Sequence, residues 1–141
     1  MENKPTVVFD TNIYISAIIF GGNPRRCLDL ARNKEITLVA SKAIFVELAE
    51  KLREKFLWEE EDISDAIEGL LAFVKLVVPQ KKLHVVVKDP PDNRILEAGV
   101  EAKADFIVSG DKKHLLSRKM FKSMPIVSSK EFLDRFYGKN N

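Results

Sequence analysis

The sequence predicts an α/β fold: one three-layer α/β/α domain around a mostly parallel, twisted sheet, spanning residues 1–141 with an ordered core of about 5–137. Three observations carry that expectation. Short apolar runs rich in β-branched residues recur without polar alternation, so they read as strands buried on both faces. Helical stretches separate them, the alternation that a parallel sheet with crossover connections requires. No repeat, low-complexity block or Gly/Ser linker interrupts the chain, and its 141 residues are an ordinary length for one domain.

Thr6-Val7-Val8-Phe9 is the first strand, too short for a helix and ending at Asp10. A short helical stretch over 12–19 follows, until Gly21-Gly22-Asn23-Pro24 breaks it. Asn23 is the expected N-cap of the next helix and Pro24 its first residue, with the helix running to about Lys34. Ile36-Thr37-Leu38-Val39-Ala40 is the second strand. Ser41 then caps a helix to about Phe56, with Ile44, Leu48, Leu52 and Phe56 stacked on one face. Glu59-Glu60-Glu61-Asp62 opens another helix, running through Val74, where acids suit the positive end of the dipole. Leu76-Val77-Val78 and residues 83–87 are strand-like. Asp89-Pro90-Pro91-Asp92-Asn93 reads as a rigid turn leading into a helix from Asp92 or Asn93. Phe106-Ile107-Val108 is a buried strand running into Ser109-Gly110-Asp111. A short helix over 112–116, a strand at Ile126-Val127 and a last helix through Phe132, Leu133 and Phe136 finish the chain.

Composition narrows the function. Apolar residues make up 45% and charged residues 31%, which is globular. Twenty-three Lys and Arg against 21 Asp and Glu leave a formal charge of +2. A histone-like sponge for nucleic acid is excluded by that balance, whereas a local basic face is compatible with it. The single cysteine, Cys27, rules out an internal disulfide or a Cys-rich metal site, and reads as helix packing. His84 and His114 lie far apart and make no helical metal pair. No apolar run reaches the ~18 residues of a membrane span and the first residues are no signal peptide, so a cytoplasmic protein is expected.

Doubly wound sheets bind ligands at the carboxyl ends of their strands, where the chain direction reverses across the sheet. Asp10 and Asp111 lie at or just beyond two such ends, Asp92 at a helix start, and Glu47 one turn beyond Ile44 at the edge of its helix's apolar stripe. Singly, each has a plainer reading: Asp10 and Asp111 as turn formers, Asp92 as an N-cap, Glu47 as a solvated helix residue. Together they can converge on one rim. Two carboxylates 5 Å apart repel by ~3 kcal/mol at an effective dielectric near 20, so such a cluster calls for protons or cations. Hard oxygen ligands select Mg²⁺ or Mn²⁺, and ions shared between carboxylates suit phosphodiester cleavage.

Taken together, Val8-Phe9-Asp10-Thr11-Asn12, Glu47, Asp92-Asn93-Arg94-Ile95-Leu96-Glu97-Ala98, Ala104-Asp105-Phe106-Ile107-Val108-Ser109-Gly110-Asp111 and Ile126-Val127-Ser128-Ser129-Lys130-Glu131-Phe132-Leu133 resemble the PIN-domain ribonucleases, in order and spacing. The resemblance is nearest to the branch related to VapC-type toxins of prokaryotic toxin–antitoxin pairs. It implies RNA cleavage with Mg²⁺ or Mn²⁺ held by Asp10, Glu47, Asp92 and Asp111, leaving a 5′ phosphate and a 3′ hydroxyl. Asn12 and Ser109 match supporting positions. Asp89 fits either a supporting or a turn role. The resemblance further implies an RNA substrate, an antitoxin protein as partner and a homodimer.

For RNA contacts the sequence offers Arg25 and Arg26 after the glycine loop, Lys112 and Lys113 after Asp111, and Arg94 in the Asp92 helix opening. Such contacts give affinity with little sequence choice. Each also fits a solvated surface, and Arg94 a local ion pair. Phe20 fits an apolar loop anchor or a base stack. Two other functions compete. A phosphotransferase with Asp10 as nucleophile needs a second Asp two residues on, where Asn12 stands. A non-catalytic RNA-binding or scaffold domain of the same fold would be favoured by loss of one of the four acids, and all four are present.

Overall fold

The structure is a computed structural model that describes residues 4–83, 90–110 and 115–138. In chain order it contains β1 (Thr6–Phe9), α1 (Thr11–Ile15), a π-helical turn (Ser16–Phe20), α2 (Gly22–Arg32), β2 (Thr37–Ser41), α3 (Lys42–Glu54), α4 (Glu60–Leu71) and β3 (Lys75–Val77). There follow α5 (Pro90–Ala102), β4 (Phe106–Val108), α6 (Leu115–Arg118), β5 (Met120–Phe121), β6 (Met124–Val127) and α7 (Ser129–Phe136). The strands form one sheet in the order β3-β2-β1-β4-β6-β5. All neighbours are parallel except the antiparallel β5–β6 pair at the edge.

Strand order follows from burial. Val7, Val8 and Phe9 of β1 are fully buried, as are Ile107 and Val108 of β4, so both strands occupy the middle of the sheet. The chain lays β2 and β3 on one side of β1, then crosses back to lay β4 and β6 on the other. That reversal makes the β1–β4 junction the topological switch point.

The layers can be read from two adjacent residues. Phe106 and Ile107 point to opposite faces of β4. On the first face, the Phe132 ring of α7 lies 5.4 Å from the Phe106 ring. On the second, α5 comes so close at Gly99 that a Cβ there would stand 3.4 Å from Ile107 Cδ1 and 2.9 Å from Met124 Sδ. Helix α3 packs beside α5, and α2 beside α7, where the Cys27 thiol donates to the Ser129 carbonyl at 3.6 Å. The expected three-layer arrangement with a mostly parallel sheet is present.

Helix starts agree with the sequence where a side chain caps them. Ser41 Oγ accepts the Ile44 amide of α3 (3.4 Å), and Ser128 Oγ accepts the Glu131 amide of α7 (3.1 Å). Helix α2 differs: Gly21, not Asn23, precedes it. Gly21 and Gly22 take φ of 86° and 66°, a region glycine enters cheaply, while Asn23 Oδ1 accepts a bond from Arg26. Pro90 and Pro91 are not a turn before α5 but its first two residues, where a missing amide proton breaks no helical bond.

Several boundaries are shorter than expected. Helix α2 stops at Arg32, α3 at Glu54 and α4 at Leu71, leaving Phe56 half-buried and Val74 buried from the following segments. The β5–β6 hairpin was not expected beyond a strand at Ile126-Val127. Its outer strand has two residues and its inner one contains Pro125, so the pattern carries little strand signal. Of the strand expected over 83–87, Leu83 lies in no strand and the rest lies outside the described residues. Residues 112–114 of the helix expected over 112–116 also lie outside them, and α6 begins at Leu115. Among the described residues no helix is long and apolar enough to cross a membrane.

Candidate active site

The site grows from the end of β1. The ladder to β4 continues one step past the strand, so the Asp10 amide donates to the Val108 carbonyl at 2.9 Å. The same register sets Ser109 beside Asp10, and Ser109 Oγ donates to Asp10 Oδ2 at 2.9 Å. Ser109 is fully buried, and its own amide donates to Val127 of β6 (2.9 Å), so three strands fix that hydroxyl. The Asp10 carbonyl meanwhile accepts the Ile13 amide at 2.9 Å and starts α1. Strand and helix together leave the carboxyl little freedom.

Glu47 reaches the same place from α3, which packs on α1. Thr11, fully buried, donates through Oγ1 to Glu47 Oε1 at 2.8 Å. Lys51, one helical turn beyond Glu47, places Nζ 3.2 Å from Glu47 Oε2 and 3.1 Å from Asn12 Oδ1. The consecutive residues Asp10, Thr11 and Asn12 are thus bonded in turn by Ser109, Glu47 and Lys51. The Asn12 side-chain oxygen faces Lys51 rather than a carboxylate.

Burial dominates the electrostatics. Asp10 is only 5% exposed, and desolvation raises its carboxyl above the usual range. The Ser109 hydroxyl, the Asn12 amide and the Lys51 ammonium pull it down, and the Glu47 carboxylate pushes it up. Burial prevails. A group in this position gains from any cation that joins it.

Asp92 is buried in the first turn of α5, which packs on β1 and β2 in the layer of α3. Arg94, two residues on, donates through Nη2 to Glu97 Oε2 (2.8 Å) and to the Leu83 carbonyl (3.3 Å). Glu97, 7% exposed, also accepts the Leu83 amide at 2.7 Å, so the pair tethers the segment after β3 to α5. Arg25 donates to the carbonyls of Ala17 (2.5 Å) and Ile18 (3.3 Å), which closes the π-helical turn. Arg26 bonds Asn23 at 3.3 Å. Phe20 is exposed, with its ring 6.4 Å from that of Phe56. Cys27 is buried and its thiol pushed up to about 12 by desolvation, as an inert packing residue should be. Asp89, Asp111, Lys112, Lys113, His84 and His114 lie outside the described residues.

Sequence reasoning assigned no part to Thr11, Lys51 or Glu97. Thr11 lay inside the Asp-Thr-Asn motif, and its β-position hydroxyl between two polar neighbours was a usable signal. Lys51 stands four residues after Glu47, the spacing of a helical ion pair, and Glu97 three after Arg94.

The donors at the site are carboxylate oxygens with amide and hydroxyl support, a set that suits hard divalent cations. Among the described residues no three acidic, His or Cys side chains form a ready metal centre. Asp10 and Glu47 meet around Asn12 and Lys51, and a buried carboxyl with raised proton affinity is the feature that fits a cation here.

The sequence profile of the family described as PIN domain matches residues 6–113, from β1 past the end of β4. The chain belongs to the PIN-domain family. A curated relative, the uncharacterized protein MJ1680 of Methanocaldococcus jannaschii, is 32% identical over 146 aligned positions, covering 94% of this PIN chain and 92% of the relative. Among solved structures, VapBC2 of Rickettsia felis, crystallised with a DNA fragment from its promoter, has a chain with the same fold. The TM-score is 0.63 at 17% identity, over 86% of this PIN chain and 96% of the other. The strand-end position of Asp10 and the α3 position of Glu47 lie within the matched segment of this PIN domain.

Proposed function

We propose that this PIN domain is a divalent-metal-dependent endoribonuclease acting in the cytoplasm as the toxin of a toxin–antitoxin pair. The observation that carries the reading is the Asp10 carboxyl, buried at the switch point and fixed by Ser109 (2.9 Å), with Glu47 held nearby by Thr11 (2.8 Å). Family membership and the fold shared with VapBC2 support it. In this reading Asp10, Glu47, Asp92 and Asp111 hold Mg²⁺ or Mn²⁺, with Asp89 as a further support. When bound there, such ions would supply an activated water and positive charge opposite the phosphate. The chain's own residues do the positioning. Ser109 and Thr11 orient the two carboxylates, and their loss costs about 10–100-fold in metal affinity or activity. Burial of Asp10 keeps bulk water off its oxygens, and Lys51 limits repulsion with Glu47 before a cation arrives. An antitoxin protein and a second copy of the chain are the proposed partners.

The test is cleavage of end-labelled structured and unstructured RNAs with Mg²⁺, Mn²⁺ or EDTA, using wild type beside Asp10→Asn. Metal-dependent cutting by wild type alone supports the reading. A folded wild type that binds RNA and cuts none of it with either metal sinks the reading in favour of a binding domain.

A further inference from the structure

A groove of about 420 Å³ opens at the carboxyl ends of β2 and β3, beside the candidate site. Its apolar lining is Ala43, Val77, Val78 and Pro79, and its cationic lining Lys42, Lys81, Lys82 and Arg94. One carboxylate lines it, Glu97, and that group is already engaged by Arg94 and the Leu83 amide. Lys42, Lys81 and Lys82 are exposed and make no ion pair among the described residues. By contrast, Lys51 and Lys130 each pair with a carboxylate one turn away.

The segment bearing Lys81 and Lys82 is held at both ends. The Gln80 amide donates to Glu101 Oε1 at 2.9 Å and the Leu83 amide to Glu97 Oε2 at 2.7 Å, both acceptors on α5. Lys81 and Lys82, on a backbone tied down at both ends, therefore line the same groove as Lys42, the first residue of α3. Register gives the groove its distance from the site. Val8 pairs with Val39 and Ser41 with Val77, so Asp10, Ser41 and Val77 continue one row over three neighbouring strands. At ~4.8 Å per strand the groove begins about 5–10 Å from Asp10. A nucleotide or two of extended backbone covers that span.

We propose that this groove is a subsite for the single-stranded RNA backbone flanking the bond to be cut, with Lys42, Lys81 and Lys82 on its phosphates. The proposal rests on the nuclease reading for its orientation and extends it to residues outside the acidic cluster. Uncompensated cations beside apolar lining match the phosphate backbone of a polyanion. Because the contacts go to phosphate, they raise affinity without choosing a sequence.

The experiment is fluorescence anisotropy of a labelled single-stranded RNA of about 12 nucleotides in EDTA, where cutting cannot intrude. Wild type is compared with the triple variant Lys42→Gln/Lys81→Gln/Lys82→Gln and with Lys130→Gln as a control, each checked for an unchanged melting temperature. The triple variant should bind about fivefold or more weakly at ~50 mM salt, and the slope of log affinity against log salt should shrink by about 2, or ~0.7 per lost phosphate contact. Lys130→Gln should match wild type. Unchanged RNA affinity and slope in the folded triple variant overturn the subsite, and do so decisively if the same variant instead loses binding to a polyglutamate peptide, since an acidic protein segment is then the occupant. Cleavage is scored separately with Mn²⁺. A wild type that never cuts, alongside a triple variant that binds weakly, removes the nuclease reading and leaves the subsite standing.

Discussion

Asp10 carries its charge in a place that resists it, and the consequence can be measured without any substrate. Burial holds its folded-state pKa above the unfolded value, so the native protein binds that proton more tightly than the unfolded chain. Its stabilising contribution is therefore complete below the ordinary Asp range and is lost as pH rises through the raised folded value. In EDTA at pH 8, Asp10→Asn should melt at a higher temperature than wild type, because the substitution removes the charge that burial disfavours. The advantage should fade on acidification, and thermal melts across pH check both points. An unmet hydroxyl lies behind the site. Tyr14 is fully buried between the rings of Phe9 (5.5 Å) and Phe45 (5.7 Å), and its hydroxyl has no hydrogen-bond partner among the described residues. Tyr14→Phe should be neutral or stabilising by up to about 1 kcal/mol in urea unfolding, since it removes an unmet polar group. The unmet Tyr14 hydroxyl and the bonds of Thr11 to Glu47 and of Lys51 to Asn12 could not be read from the sequence, because each depends on which helix packs on which, whereas the Lys51–Glu47 pair has the spacing of a single helix. Asp10 and Ser109 were legible because strand ends are marked in the chain itself.

Helix ends show why boundaries were harder to read than elements. After α2 the Glu35 amide bonds the Leu30 carbonyl (2.8 Å) and the Lys34 amide bonds Ala31 (3.0 Å). After α5 the Ala104 amide bonds Gly99 (3.0 Å) and the Lys103 amide bonds Val100 (3.2 Å). Both are Schellman endings, with φ of 64° at Lys34 and 53° at Lys103. Glycine would announce such a stop, and lysine does not. Lys103→Gly should therefore stabilise the protein by about 1 kcal/mol by relieving the left-handed backbone, with no change in fold. An unchanged or lower denaturation midpoint would mean that the lysine chain itself contributes there. The serine-capped starts at Ser41 and Ser128 were legible because the capping side chain is the signal. The Gly-Gly start of α2 misled because two glycines can begin a helix one way and Asn-Pro another.

At the scale of the whole molecule, layer order and sheet direction were visible in the alternation of apolar runs and helical stretches. The β5–β6 hairpin was not, since two-residue strands leave no period to detect. The shared rim of Asp10 and Ser109 was foreseeable because they follow the two central strands on either side of the one reversal, whereas Glu47 comes to it from within α3. In the nuclease reading, a cation held by Asp10 and Glu47 would tie ligand binding to the stability of the entire fold. Mn²⁺ at about 100 times its dissociation constant should raise the unfolding free energy by about 2.7 kcal/mol, and Asp10→Asn should lose most of that gain. Calorimetric melts with and without Mn²⁺ check it, and an equal gain in both proteins would place the ion elsewhere.

The two margins of the sheet have a further consequence. An open sheet invites a stranger's strand at either border, and long, flat borders seed fibrils. Here one border is the three residues of β3, beginning at Lys75, and the other the two residues of β5, between Lys119 and Lys122 with their left-handed backbone. Among the described residues neither border offers a run long enough to template a neighbour. Strand-to-strand pairing through these two borders is therefore disfavoured.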